Sequence, residues 1–302
     1  MYRTKVAIFG EIYIPLRMKK IIAERETALL EYLYEIFADK SKTTVKSYLS
    51  HRQISVNGCA TTQFDFPVKK GDTIEFSSER TKESFRHPQL RIVYEDDYLI
   101  VINKREGLLS IATDKQPLRT AFSILSDYLK RDNPAARIFV LHRLDRETSG
   151  LMMFAKDQNI KQQMQRDWSE VVVERKYYAV VEGVVEKEQE RISTYLTESK
   201  ALIVYATTRE NGKIANTDYR VLKRSATNTL LELKLETGRK NQIRCHLNYI
   251  NHPIIGDKKY GAKTNPIGRV ALHAGSLSFI HPVTGSQLDF STPIPREFTE
   301  MF

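Results

Sequence analysis

The chain has 302 residues, 41% of them apolar and 28% charged, with 47 basic and 37 acidic side chains for a net charge of +10. This is the balance of a globular protein of about two domains, long enough to bury a sizeable core. No apolar run approaches the ~20 residues that cross a bilayer. The positive excess favours a polyanionic partner, nucleic acid first and an anionic membrane surface second.

In chain order, residues 1–26 form an N-terminal segment of undefined structure, in which Val6–Phe9 and Ile12–Ile14 hint at short strands. The opening MYRTKVAIFGEIYIPLRMKK lacks the apolar core and cleavage site of a signal peptide, so a cytoplasmic protein is expected. Residues 27–76 read as a small module. Leu29, Leu30, Leu33, Ile36 and Phe37 repeat at helical spacing, and a second short helix covers Thr43 to Leu49. Ile54–Val56 alternates like a strand, Asn57–Gly58 favours a tight turn, and a turn at Lys70–Gly71–Asp72 leads into Thr73–Phe76. Residues 77–90, polar and charged, read as a linker.

Residues 91–302 form the third part. Strand-like runs lie at 91–94, 98–103, 138–141, 151–155, 177–181, 217–221, 230–235 and 270–277, and helical patterns at 118–129, 158–168 and 241–250. Strands outnumber helices and often follow one another directly. The pattern predicts an α+β fold with a mostly antiparallel mixed sheet. Cys59 and Cys245 are far apart and lack a CxxC companion, so both are expected as reduced thiols. The seven histidines are scattered without HExxH or a cysteine–histidine cluster, so no metal is expected.

Between two apolar runs lies Leu141–His142–Arg143–Leu144–Asp145–Arg146–Glu147–Thr148–Ser149–Gly150, a polar loop at the edge of a core. Arg143 and Arg146 flank Asp145, and nearby cations keep a carboxylate ionised. By itself such an aspartate is more often a turn residue or a solvated ion-pair partner than a catalyst.

The string HRLDRETSG, however, matches the HRLDxxTSG motif of the RluA-family pseudouridine synthases at every specified position, and the resemblance continues in order along about 210 residues. RIVYEDDYLIVINKREGLLS (91–110) resembles the family's opening strands and their loop, with Arg105 where proline is usual. Arg175–Ala179 resembles the strand that presents a tyrosine to the base, at Tyr177, with Tyr178 facing the other side. Gly212–Thr217 is similar to G-K-x-A-x-T. Leu235–Arg244 is similar to L-x-TGR-x-HQIR, with Asn241 where histidine is usual. Asn still donates and accepts hydrogen bonds, so a tuned site is expected. Pro253–Asp257, Tyr260–Gly261, Leu272–Ala274 and His281–Pro282 resemble the closing motifs. The helix–hairpin module, with Val56–Asn57–Gly58 and Gly71–Asp72, resembles an S4 RNA-binding domain.

The resemblance implies a pseudouridine synthase fold and an isomerisation needing no cofactor. Asp145 is the implied catalytic carboxylate, as nucleophile or as base, paired with Arg244. Tyr177 would stack on the extruded uracil and Arg143 would fill the space it leaves. His142, Leu272 and Ile243 would complete the substrate contacts. Lys40, Lys42, Lys46 and Arg52 are candidate phosphate contacts. Without the resemblance, Arg244 reads as a surface arginine, Tyr177 as a core aromatic and the lysines as a solvated face. The S4-like module implies ribosomal RNA, of the large subunit, as substrate. The alternatives are the same reaction on tRNA, a catalytically silent RNA-binding ribosome-assembly factor, and a hydrolase using Asp145, for which neither a partner histidine nor a phosphate loop is present. Nothing in the sequence demands more than a monomer.

Overall fold

The computed structural model describes residues 18–50, 53–77, 85–112 and 119–302. The strands expected at 6–9 and 12–14, the start of the helix at 118 and the candidate contact Arg52 lie outside the described residues. The chain divides into two compact units between Phe85 and Arg86.

The first unit contains β1 (Met18–Ile22), β2 (Thr27–Ala28), α1 (Leu29–Ile36), α2 (Lys42–Ser50), β3 (Ile54–Val56), β4 (Cys59–Ala60), β5 (Pro67–Val68) and β6 (Thr73–Ser77). Its sheet runs β1-β6-β3-β4, and β2 pairs separately with β5. Part of the expected N-terminal segment, β1, thus belongs to the same sheet as the hairpin. Leu29 and Leu33 of α1 meet Val45 and Leu49 of α2 over Ile54, Val56 and Ile74, all buried. The i, i+4 spacing on both helices creates this shared apolar face. Asn57 and Gly58 have positive φ, as the tight turn requires. The Asn57 amide donates to Asp72 (2.9 Å) and accepts from the Thr73 N–H (2.9 Å), so the two turn motifs clasp each other.

The second unit contains β7 (Leu90–Glu95), β8 (Leu99–Lys104), α3 (Ala121–Asp132), β9 (Phe139–Val140), β10 (Ser149–Ala155), α4 (Gln158–Arg166), α5 (Trp168–Val171) and β11 (Glu174–Glu182). These are followed by β12 (Gln189–Glu198), β13 (Val204–Thr207), β14 (Lys213–Arg224), β15 (Asn228–Leu235), α6 (Gln242–Tyr249), β16 (Leu272–Ile280), β17 (Gln287–Ser291) and α7 (Arg296–Thr299). The main sheet runs β13-β12-β14-β15-β11-β16-β10-β8-β7, with β17 on β16 and β9 on β10. Among the pairs of strands in the described residues only β10 with β16 is parallel, at Ser149–His273 and Gly150–Ala274, besides an isolated parallel bridge between Leu109 and Thr120. The α+β reading with a mostly antiparallel sheet therefore holds.

Every residue of β10 is buried. Leu151, Met153 and Ala155 pack with Leu99 and Val101 against Ile160 and Met164 of α4. Met152, Phe154, Ile100 and Ile102 point to the other face and are also fully buried. Coverage on both faces explains the unbroken apolar run. The helix expected over 158–168 ends at Arg166. Asp167 leaves helical geometry (φ −101°, ψ 25°) and Trp168 opens a separate short turn of helix. At Arg105, where the family's proline would carry no N–H, the backbone N–H donates to Gln89 O at 2.8 Å.

Candidate active site

The loop between β9 and β10 carries Asp145, and two neighbouring segments fix its shape. Leu144 exchanges two hydrogen bonds with the buried Ser110 hydroxyl, at 2.7 and 3.1 Å. Arg146 O accepts from the Gly107 N–H at 2.7 Å. The fully buried Lys104 ammonium donates to Arg105 O (3.0 Å) and Leu108 O (2.9 Å). Burial pushes this lysine down to about 8, against the attraction of Glu106, Asp145 and Glu147. Lys104, just before Arg105, thus works as an internal brace beneath the aspartate loop. At the far end Gly150 (φ +114°) presses against Ala274, so close that a Cβ there would lie 2.2 Å from Ala274 O. Only glycine allows that approach.

Opposite this loop stands the turn that opens α6. Gln242, buried, accepts from the Thr237 hydroxyl (2.8 Å) and the Arg239 N–H (2.9 Å), and donates to Asn216 O (3.0 Å) and the Thr217 hydroxyl (2.9 Å). A single amide therefore ties the Thr237–Gly238–Arg239 turn to β14. Asn241 adopts the left-handed conformation (φ 49°, ψ 23°) just before α6. Asn tolerates that conformation better than most residues. Arg244, in the first turn of α6, grips Asp257 through two bonds of 2.6 and 2.7 Å. Its other nitrogen lies 3.5 Å from Asp145 and 3.4 Å from Glu147. The guanidinium also lies over the Tyr260 ring, 5.1 Å from its centroid. Burial opposes its charge, but the Asp257 bonds and charge outweigh that and hold it protonated. The pairing with Asp145 expected from the sequence is present, but Asp257 is the stronger partner.

These segments enclose a cleft of about 380 Å³, lined by Asp145, Tyr177 and Arg244 together with Arg143, His142, Leu272 and Ile243. All seven residues singled out for this site in the sequence thus line the same cleft. Arg175 and Arg239 join Arg143 and Arg244 on the lining, giving four arginines against one aspartate. Arg143 is exposed at the cleft, whereas Tyr177, Ile243 and Leu272 are buried in its wall. The pairing of β11 with β16 shifts register between Lys176 and Tyr177, leaving Gly275 as an extra residue. The bulge turns Tyr177 into the cleft, while the Tyr178 ring covers bare Gly275 on the other side. Burial raises the Tyr177 phenol.

His142 lines the cleft, but its Nε2 accepts the Met153 N–H at 3.1 Å. Burial, with Arg175 nearby, pushes it down to about 3, so its ring stays neutral. Its ring tilts against Trp168, with centroids 5.6 Å apart, and Arg175 lies over the same indole at 5.7 Å. Burial raises the Asp145 carboxyl above its usual range and Glu147 adds to this, while Arg244 and Arg143 pull it down. Burial wins over the flanking arginines, which sequence spacing alone could not reveal. Asp257, Trp168 and Tyr260 are further site residues that sequence reasoning did not single out by role. Only the Gly-Asp and Tyr-Gly motif strings pointed at two of them.

An anionic ligand with a flat ring, set against a carboxylate in an arginine-lined cleft, is the chemistry this arrangement accepts. That is the class of enzymes acting on a nucleotide. Residues 98–249 match the RNA pseudouridylate synthase family. The chain is 35% identical over 290 residues to ribosomal large subunit pseudouridine synthase D of Vibrio cholerae, covering 88% of this chain and 87% of that one. It is 34% identical over 270 residues to the uncharacterized RNA pseudouridine synthase YlyB of Bacillus subtilis, covering 87% and 89%. The solved structure of human RNA pseudouridylate synthase domain containing 4 superposes with a TM-score of 0.57 at 26% identity, covering 69% of this chain and 90% of that one. The chain belongs to the RNA pseudouridylate synthase family, in its RluA branch, and is an RNA pseudouridine synthase.

Proposed function

We propose that this enzyme converts uridine to pseudouridine in large-subunit ribosomal RNA, with Asp145 as its catalytic carboxylate. The observation that carries the reading is the convergence of Asp145, Tyr177 and Arg244 on one arginine-lined cleft. The relatives from Vibrio cholerae and Escherichia coli named for the ribosomal large subunit support the substrate class. In the reaction the bond from C1′ to N1 breaks, the base turns, and C1′ bonds to C5. The hydrogen displaced from C5 is lost and N1 gains one, so the product is an isomer. Asp145 serves this step by attacking the nucleoside or by removing a proton at the sugar. Arg244, anchored by Asp257, offsets the cost of holding that charge in a closed site.

The uridine reaches Asp145 only after leaving its stack, which costs a few kcal/mol. Stacking on Tyr177 returns roughly 1–3 kcal/mol. Arg143, exposed at the cleft, fills the vacated space, and Leu272 and Ile243 provide apolar walls. The first unit acts as an S4-like RNA-binding domain, in which the exposed Lys40, Lys42 and Lys46 contact phosphates. The protein works as a cytoplasmic monomer.

The test is to incubate the purified enzyme, without added cofactor, with ribosomal RNA from a strain lacking the gene and to map pseudouridine by mass spectrometry. New pseudouridine in large-subunit RNA, at positions missing in that strain, is expected. RNA left unmodified by active protein would contradict the substrate assignment.

A further inference from the structure

The Asn241 carboxamide lies 3.0 and 2.9 Å from the two Asp145 carboxylate oxygens and 3.0 Å from Tyr260 Oη. An ionised carboxylate only accepts, so its partner is the NH2 end of the amide. The carbonyl end then accepts the Tyr260 hydroxyl proton, and Tyr260 Oη accepts the Val204 N–H at 3.1 Å. The chain from Val204 through Tyr260 and Asn241 to Asp145 leaves each donor with an acceptor. Asn241 and Tyr260 are both buried.

We infer that Asn241 is the positioning residue of the Asp145 carboxylate, holding both of its oxygens and favouring the ionised form at the moment of reaction. This rests on the proposed role of Asp145. Arg244 alone reaches one carboxylate oxygen at 3.5 Å, a loose contact that leaves rotation about the carboxylate free. The amide reaches both oxygens at hydrogen-bond distance, so it fixes the plane of the carboxylate as well as its charge. The left-handed backbone at 241 sets the amide against the aspartate, and Tyr260 fixes which end of it faces there.

The charged and titratable groups facing Asp145 are Arg143 and Glu147 of its own loop, Lys104 at the end of β8, Tyr177 of β11 and Arg244 of α6. Asn241 is the neutral member of this shell, so its contribution does not titrate. Asn241→Asp keeps the shape and tolerates the left-handed backbone but replaces the donor by a second carboxyl. Like charges at this distance resist joint ionisation.

The test compares the full-length wild type, Asn241→Asp, Asn241→His and Asp145→Asn by steady-state conversion of an rRNA transcript across a pH series. Circular dichroism and melting establish that each variant is folded. Asn241→Asp is expected to lower kcat at least tenfold at neutral pH with KM within threefold, and to move the acid limb of the profile upward. Asn241→His, which restores an N–H donor, should recover much of kcat and add a new ionisation. A folded Asn241→Asp with the wild-type rate and profile, beside an inactive Asp145→Asn, would overturn the inference alone. Turnover by Asp145→Asn would overturn the proposed catalytic role itself.

Discussion

Arg244 is almost fully buried, and its two short bonds to Asp257, itself 1% exposed, make it a structural as well as a chemical residue. Arg244→Ala leaves Asp257 as an unpaired buried charge, and breaking such a pair costs about 3–5 kcal/mol. A urea melt should show that loss beside the lost turnover, while an unshifted midpoint would argue that Asp257 finds another partner. Asp145 carries the opposite tension. Its carboxyl is raised by burial and by Glu147. If Asp145 acts as the ionised carboxylate, as proposed, rate is present above the folded-state pKa and falls as pH drops through it. The acid limb is therefore expected above the ordinary carboxylate range of about 4. Glu147→Gln removes a like charge and a competitor for Arg244, so it should move that limb down. A limb that stays in place would separate Glu147 from Asp145. The acid, the tyrosine and the guanidinium could all be named from motif strings. Asp257's grip on Arg244, the indole of Trp168 behind His142 and the Tyr260 link to Asn241 could not. Each joins residues brought together by the fold, and no local periodicity encodes such a contact.

At the scale of elements, the site depends on how β10 leaves the aspartate loop. Ser149 and Gly150 pair in parallel with His273 and Ala274, which places Asp145 close to Leu272 on the neighbouring strand. Gly150→Ala forces a side chain onto Ala274 and a positive φ on a residue that resists it. Strain and overpacking together should cost about 3 kcal/mol or more. A sharp fall in soluble yield and melting temperature is expected, whereas a melting temperature within a degree of wild type would show that the strands can separate freely. Strands β8 and β10 were plain in the sequence because Leu99–Ile102 and Leu151–Ala155 are unbroken, buried apolar runs. Strand β12 was not. Its buried Ile192 and Leu196 are four apart, a spacing that suits strand and helix alike, and the residues between are exposed or half-buried. The break at Asp167 was equally hidden, since Trp168 keeps the apolar period of α4 while turning to the cleft.

At the scale of the whole molecule, an excess of +10 charges fits an enzyme that must hold a long polyanion while it works on one base. If the first unit binds phosphates, charge removal there should weaken binding evenly across RNA sequences and lower the salt slope by roughly one for each phosphate no longer neutralised. Lys46, exposed on α2, is expected to matter more than Lys40, which Asp39 already holds at 2.8 Å. Filter binding of Lys46→Ala and Lys40→Ala across a salt series would check the order, and equal slopes for both variants and wild type would deny this unit a phosphate role. The composition pointed only to a polyanionic partner, and the particular chemistry came from the motif strings. The most direct measurement of that chemistry is single-turnover pseudouridine formation by Asp145→Asn on rRNA it binds as tightly as wild type. The account predicts a rate lower by roughly 10³-fold or more with Kd unchanged within threefold. Conversion within tenfold of the wild-type rate would contradict it.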